Sequence, residues 1–339
     1  MKSSRFILLI ILLLLGIAAI FALNKPNNTI VDNKNQSKQQ KPIIITTLFP
    51  FYDITRTLIG DQADISLLLP PGIEPHSFEP TPQDIVQIQE ADIFIYTGDS
   101  MEPWVKDIIS NLPKTVTVIN ASQGITLIED ADDHGHGHAD DHGHGHADDH
   151  GHGHADEKNK EKLALDPHFW LDFNNTIIAT KTISDTISSK NIVDTTLLSQ
   201  NRDILTRDFT QIDIDYRDTL GKCRNKTILQ AGHRTFGYLA KRYNLEYITT
   251  EELSPNSDTS AQDIANLVDE IKAEKAKAVF SEELIEPRIA NTISDETGVP
   301  ILLLNGAHNI TSDQFKSGTS FINIMRDNLE NLSTGLDCK

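Results

Sequence analysis

Short apolar runs recur along this chain, separated by segments with helical spacing. Ile43 to Thr46 reads as a buried strand, and the residues after Pro50 as the start of a helix. "ADISLLLPPG" is a second strand, stopped by Pro70 and Pro71. In "TPQDIVQIQEADIFIYTG", Pro82 marks a helix start, Ile85, Ile88 and Ala91 follow at helical intervals, and Ile93 to Tyr96 is a third strand. "KTVTVINAS" is a fourth. From Phe173 to about Leu220 the pattern turns mostly helical, with Ile177, Ile178, Ile183 and Ile187 at near-helical spacing. The alternation then starts again. "KTILQAGH", "EYITT", Ala276 to Phe280 and "VPILLLNG" are strands. "TFGYLAKRYNL", the segment carrying Ile264, Leu267, Val268 and Ile271, and "SFINIMRDNLENLSTGL" are helices. Strands alternating with helices predict an α/β fold of two Rossmann-like lobes, over 42–170 and 225–339, with 171–224 as a helical connector.

Two stretches stand outside this rhythm. At the N-terminus, Lys2 and Arg5 precede 18 apolar or small residues, Phe6 to Leu23. Residues 1–23 are expected to be a signal peptide or an uncleaved membrane anchor, and the polar 24–41 a tether. The rest of the chain is then extracytoplasmic: in a periplasm, or on the outer face of the cytoplasmic membrane. The other stretch is "DDHGHGHADDHGHGHADDHGHGHADE", one eight-residue unit written three times. It has no apolar side chain larger than alanine, so it cannot offset chain entropy by burial. Residues 129–163 are expected to form a disordered insertion in the first lobe.

Ten acidic residues between Glu129 and Glu157 supply about half of the formal net charge of −19. An acidic balance argues against nucleic acid as a partner. Only two cysteines occur, Cys223 and Cys338. An even count in an exported chain suggests one disulfide, with two free thiols as the alternative. No dinucleotide fingerprint, P-loop, nucleophile elbow or H-E-x-x-H motif is present.

The candidate chemistry is imidazole. Nine of 13 histidines lie in the repeat: His134, His136, His138, His142, His144, His146, His150, His152 and His154. A flexible His/Asp run can hold several metal ions, each less tightly than a rigid site does. Four histidines remain. His76 follows a strand in "PPGIEPHSFEP", His168 opens the connector in "LDPHFWLD", and His233 ends a strand in "QAGHRTFG". Ligands gather at the carboxyl ends of parallel strands, so two facing lobes could bring these three together around a metal ion.

"PPGIEPHSFEPTPQD", "ADIFIYTGDSMEPW", "LDPHFWLD", "GHRTFGYLAKRYNL" and "VFSEELIEP", in that order, resemble the substrate-binding proteins of zinc and manganese ABC importers, zinc-uptake type. The resemblance implies two α/β lobes joined by one long rigid helix, with the metal in the cleft. It implies no catalysis, Zn²⁺ as bound cargo with Mn²⁺ as runner-up, a monomer, and an ABC permease with its ATPase as partners. By position His76, His168 and His233 match the family's first three ligands. The usual fourth is an aspartate after the last strand of lobe two, where this chain has Asn305 in "LLNGAHN". The fourth donor is left open among Asn305, water, Glu282, Glu283 and His308. Cys223 and Cys338 match a disulfide of some family members. The alternatives are a surface zinc-storage or interaction protein, or a zinc-dependent hydrolase.

Overall fold

The computed structural model describes residues 41–129, 165–250, 260–282 and 287–339. The N-terminal leader and tether, the nine repeat histidines and Glu283 lie outside the described residues.

In the first lobe, β1 (Ile43–Thr46), β2 (Asp64–Leu67), β3 (Ile93–Tyr96) and β4 (Thr117–Asn120) form a parallel sheet in the order β2-β1-β3-β4. Parallel neighbours need crossovers, and α1 (Phe49–Ile59), α2 (Pro82–Glu90) and α3 (Val105–Ile109) make them. The central strands are apolar on both faces because both faces are covered. Ile44, Ile93 and Ile95 point into the large core shared with the connector. Ile45, Phe94 and Tyr96 point to the opposite core, with Ile88 of α2 and Val105 of α3. Pro82 sits in the first turn of α2, and Thr81 with Asp84 forms a capping box there.

The connector is a helical hairpin rather than one rod. α4 (Phe173–Lys190) ends on Asn191 in the left-handed conformation, and α5 (Thr195–Leu220) begins on the N-cap Asp194. The two limbs pack on each other. α5 is the limb that also touches elements of both lobes, and its apolar face carries Leu205, Phe209, Ile212 and Tyr216.

The second lobe repeats the first. β5 (Thr227–Ala231), α6 (Gly237–Tyr243), β6 (Glu246–Thr250), α7 (Ala261–Glu274), β7 (Val279–Ser281), α8 (Pro287–Thr297) and β8 (Ile301–Leu303) build a parallel sheet in the order β6-β5-β7-β8. β7 starts later than the apolar run beginning at Ala276 predicts, because Lys275 takes a left-handed φ of 54° and turns the chain out of α7 first. α9 (Ser312–Ser317) and α10 (Phe321–Gly335) follow, and α10 packs on α1 and α5.

Polar ties hold the lobes to the connector. Arg242 of α6 donates to Asp213 of α5 through Nε (2.6 Å) and Nη2 (2.8 Å). Its Nη1 lies 2.9 Å from Asp172, the N-cap of α4. Burial opposes the Asp213 charge, but the bonds from Arg242 and Tyr243 outweigh it and lower the pKa. Asp172 is four residues beyond His168, so this network braces the segment that carries that histidine. Near the C-terminus, Cys223 and Cys338 form a disulfide linking the end of the connector to the chain end.

Candidate metal centre

Each of the four histidines outside the repeat stands at or near an element end facing the cleft. His76 lies in the turn after β2, His233 after β5 and His308 after β8, all at carboxyl ends of strands. His168 precedes a 3₁₀ turn, Phe169–Leu171, that leads into α4. One ring nitrogen from each of His76, His168, His233 and His308 lies within 4.8 Å of the other three. The six ring-centroid separations run from 4.8 to 5.5 Å, so the rings occupy the corners of a nearly regular tetrahedron. The Nε2 atoms of His76 and His168 are 3.4 Å apart. That separation matches one edge of a nitrogen tetrahedron whose centre lies about 2.0–2.1 Å from each corner, the Zn–N distance.

Carboxylates aim the rings. Oδ1 of Asp166 accepts from the backbone N–H of His168 (2.9 Å) and lies 2.8 Å from its Nδ1. The proton therefore belongs on Nδ1, and Nε2 is left as the donor to a cation. Oε2 of Glu282 lies 2.8 Å from Nδ1 of His233 in the same way. Nε2 of His233 is 3.0 Å from the Thr235 hydroxyl, which has a second acceptor in the His233 carbonyl at 3.4 Å, so that nitrogen can be released. Glu74 accepts from the N–H groups of His76 (2.9 Å) and Ser77 (2.7 Å) and fixes the turn that presents His76. Glycine is required beneath the His233 pair. At Gly232, with φ of 141°, a Cβ would lie 2.0 Å from Oε1 of Glu282.

His308 is 4% exposed, and its Nε2 has no hydrogen-bond partner. Its ring packs over Gly306, where a Cβ would stand 2.5 Å from Cε1. The Trp170 ring covers His168 and His308 at 5.5 and 5.3 Å, and its Nε1–H donates to the Gly306 carbonyl at 2.8 Å.

Burial lowers the pKa of His168 and His308 well below the usual imidazole range, and neighbouring imidazoles add to it. His76 keeps a solvent-accessible edge, yet desolvation and the His233 ring bring it down to about 4. Burial pushes the Asp166 carboxyl up to about 6, against the pull of the His168 N–H. For Glu74 burial opposes the charge, but the N–H donors of His76 and Ser77 outweigh it and lower the pKa. Three rings are thus held neutral near pH 7, the form that binds metal.

Among the candidates for a fourth donor, His308 has a ring nitrogen within 4.8 Å of those of His76, His168 and His233. Asn305 is buried, and its Oδ1 accepts from the Ala307 N–H at 2.7 Å, which closes the loop. Its backbone is clamped to Asn328 by two bonds of 2.8 Å. Ala307 takes a positive φ of 57°, and this turn swings His308 inward. Glu282 touches the far side of His233, not the space between the rings. Sequence reading anticipated that Trp170 would shield the site but missed the role of Asp166. A carboxylate two residues before a histidine was the available signal.

Between residues 44 and 335 the sequence matches the ZnuA family, "Zinc-uptake complex component A periplasmic". The chain belongs to this family. It is 32% identical over 322 residues to the high-affinity zinc uptake system protein ZnuA of Bacillus subtilis (strain 168), covering 94% of this chain and 96% of that protein. It is also 32% identical over 295 residues to the zinc-binding protein AdcA of Streptococcus pyogenes serotype M6; that match covers 87% of this chain but only 56% of the relative's length. Among solved structures, the Zn(II)-bound ZnuA-like domain of Streptococcus pneumoniae AdcA superposes with a TM-score of 0.72 at 28% identity, covering 88% of this chain and 99% of that one. The two-lobed architecture is therefore the family's.

Proposed function

We propose that this chain captures Zn²⁺ outside the cytoplasm, at the cluster of His76, His168, His233 and His308, and delivers it to an ABC permease with its ATPase. The observation that carries this reading is the tetrahedron of imidazoles, with partnered carboxylates behind His168 and His233. Four imidazole nitrogens converging from tetrahedrally placed rings suit Zn²⁺, and a closed four-donor set suits holding an ion rather than activating water on it. The relatives named for zinc binding or zinc uptake support the same cargo. Membership of a non-catalytic family supports a binding role. A hydrolase would need an open metal position and a free base. Asp166, Glu282 and Glu74 are instead occupied with histidine ring or backbone N–H groups.

The repeat, His134 to His154, serves in this reading as an auxiliary collector. The described residues flanking the segment that contains it, Glu129 and Leu165, form an antiparallel bridge three residues before His168, beside a cavity of about 810 Å³ that Asp166 and Glu129 help to line. Residues 1–23 hold the molecule at the membrane or direct its export.

The test is zinc stoichiometry and competition against a chelator on the full-length chain. Replacing the nine repeat histidines by asparagine should leave one tight ion; His168→Ala should remove it and keep the weaker ones. A repeat-substituted chain without a tight ion would overturn the division of labour. Uptake of radioactive zinc by cells carrying His168→Ala should fall; unchanged uptake would count against delivery.

A further inference from the structure

We infer that His308 is the residue that sets the cation selectivity of this centre: it completes an uncharged, all-imidazole shell that accepts nitrogen-preferring divalent ions and turns away Mn²⁺. The inference rests on the capture reading above and deepens it.

Among the described residues, the group of side chains that can converge on one ion contains four histidines and no carboxylate. The described acids that contact the cluster are one step removed. Asp166 lies on Nδ1 of His168, Glu282 on Nδ1 of His233, and Glu74 on the backbone of His76. Asn305, the residue in the sequence position of an acidic ligand, offers an uncharged amide oxygen that already accepts from the Ala307 N–H. His308 fills the gap from three residues further on, with a buried Nε2 that no other group engages. Its ring cannot easily swing aside, since Gly306 lies against one side and Trp170 covers it edge-on.

The consequence follows from ligand chemistry. Mn²⁺ stands lowest in the divalent affinity order and draws its binding from carboxylate and carbonyl oxygens, as Mg²⁺ and Ca²⁺ do. A shell of neutral imidazoles withholds those oxygens. Zn²⁺, Co²⁺, Ni²⁺ and Cu²⁺ all accept imidazole, so the shell discriminates among them only by geometry, and the tetrahedron favours Zn²⁺ and Co²⁺. The ion keeps its full charge within the shell. That charge is balanced across the rings, by Asp166 and Glu282.

The experiment uses the full-length chain with the nine repeat histidines changed to asparagine, alone and with His308→Glu or His308→Gln. Bound Mn²⁺ is read by electron paramagnetic resonance, Zn²⁺ by chelator competition, and fold by circular dichroism. The parent chain should hold Zn²⁺ and exclude Mn²⁺. His308→Glu should gain Mn²⁺, lowering the Zn²⁺-to-Mn²⁺ affinity ratio by about tenfold or more. His308→Gln, similar in reach but uncharged, should not gain it. Should His308→Glu fail to fold, the parent chain still decides: its Co²⁺ form should show the intense visible bands of a four-coordinate ion. A weak six-coordinate spectrum, Mn²⁺ retained by the parent, or an unchanged ratio in a folded His308→Glu would each overturn the inference. A parent that holds no Zn²⁺ tightly would overturn the capture reading instead.

Discussion

Nδ2 of Asn309 lies 2.8 Å from the carbonyl oxygen of Ile73, so a side chain of the second lobe is bonded to the backbone of the first. The same nitrogen donates to the Pro70 carbonyl, also at 2.8 Å. Asn309 adjoins His308, and Ile73 is three residues before His76. Two of the clustered imidazoles, from opposite halves of the chain, are thereby mechanically linked.

Asn309→Ala removes both bonds from a site where the asparagine is only 6% exposed. Leaving buried acceptors without a donor costs about 1–3 kcal/mol. If the link matters to the centre, zinc release into a strong chelator, followed by stopped flow, should speed up as well. A variant that loses stability but releases zinc at the parental rate would reduce Asn309 to a purely structural role.

Glu282 and Asp166 act through the histidines they orient. Groups in that outer position are worth about 10- to 100-fold in metal affinity. Glu282→Gln should therefore weaken zinc by about that factor, and Asp166→Asn likewise, while the far-ultraviolet spectrum stays unchanged. Competition titration against a chelator measures it. Parental affinity in both variants would show that the two carboxylates do not govern ring orientation.

Glu102 offers a pH test away from the centre. It is 3% exposed, and its Oε2 accepts from the N–H groups of Thr97 (2.7 Å) and Gly98 (3.2 Å). Burial outweighs these donors and pushes the carboxyl up to about 7. The folded chain then binds this proton more tightly than the unfolded chain, whose value is near 4.5. Stability from this group is full below about pH 4.5 and is lost as pH rises through 7, by about 3 kcal/mol. Urea melts of the parent and Glu102→Gln between pH 4 and 8 should show a stability difference that changes by that amount. A difference flat with pH would mean that Glu102 stays ionised in the fold.

Much of the fold was legible before any coordinates. Runs such as Ile43 to Thr46 and Ile93 to Tyr96 announced strands because a sheet covered on both faces must be apolar throughout. Pro82 announced the start of α2, and the structure adds the Thr81 cap there. The connector showed its helical period, but its folding back at Asn191 depends on packing between α4 and α5. His76 and His233 were singled out by their places at strand ends, His168 by its place at the opening of the connector, and all three by a motif resemblance.

What the sequence determined by itself was local: which segments are strands and helices, which histidines stand at their ends, and which tract cannot build a core. Those properties follow from periodicity and composition, which act over a few residues. Tertiary structure decided that His308 joins His76, His168 and His233. That choice depends on a left-handed turn at Ala307, a clamp from Asn328 and a tryptophan more than a hundred residues away. Side-chain direction within such a loop is set by partners distant in the chain, and no window of sequence contains them.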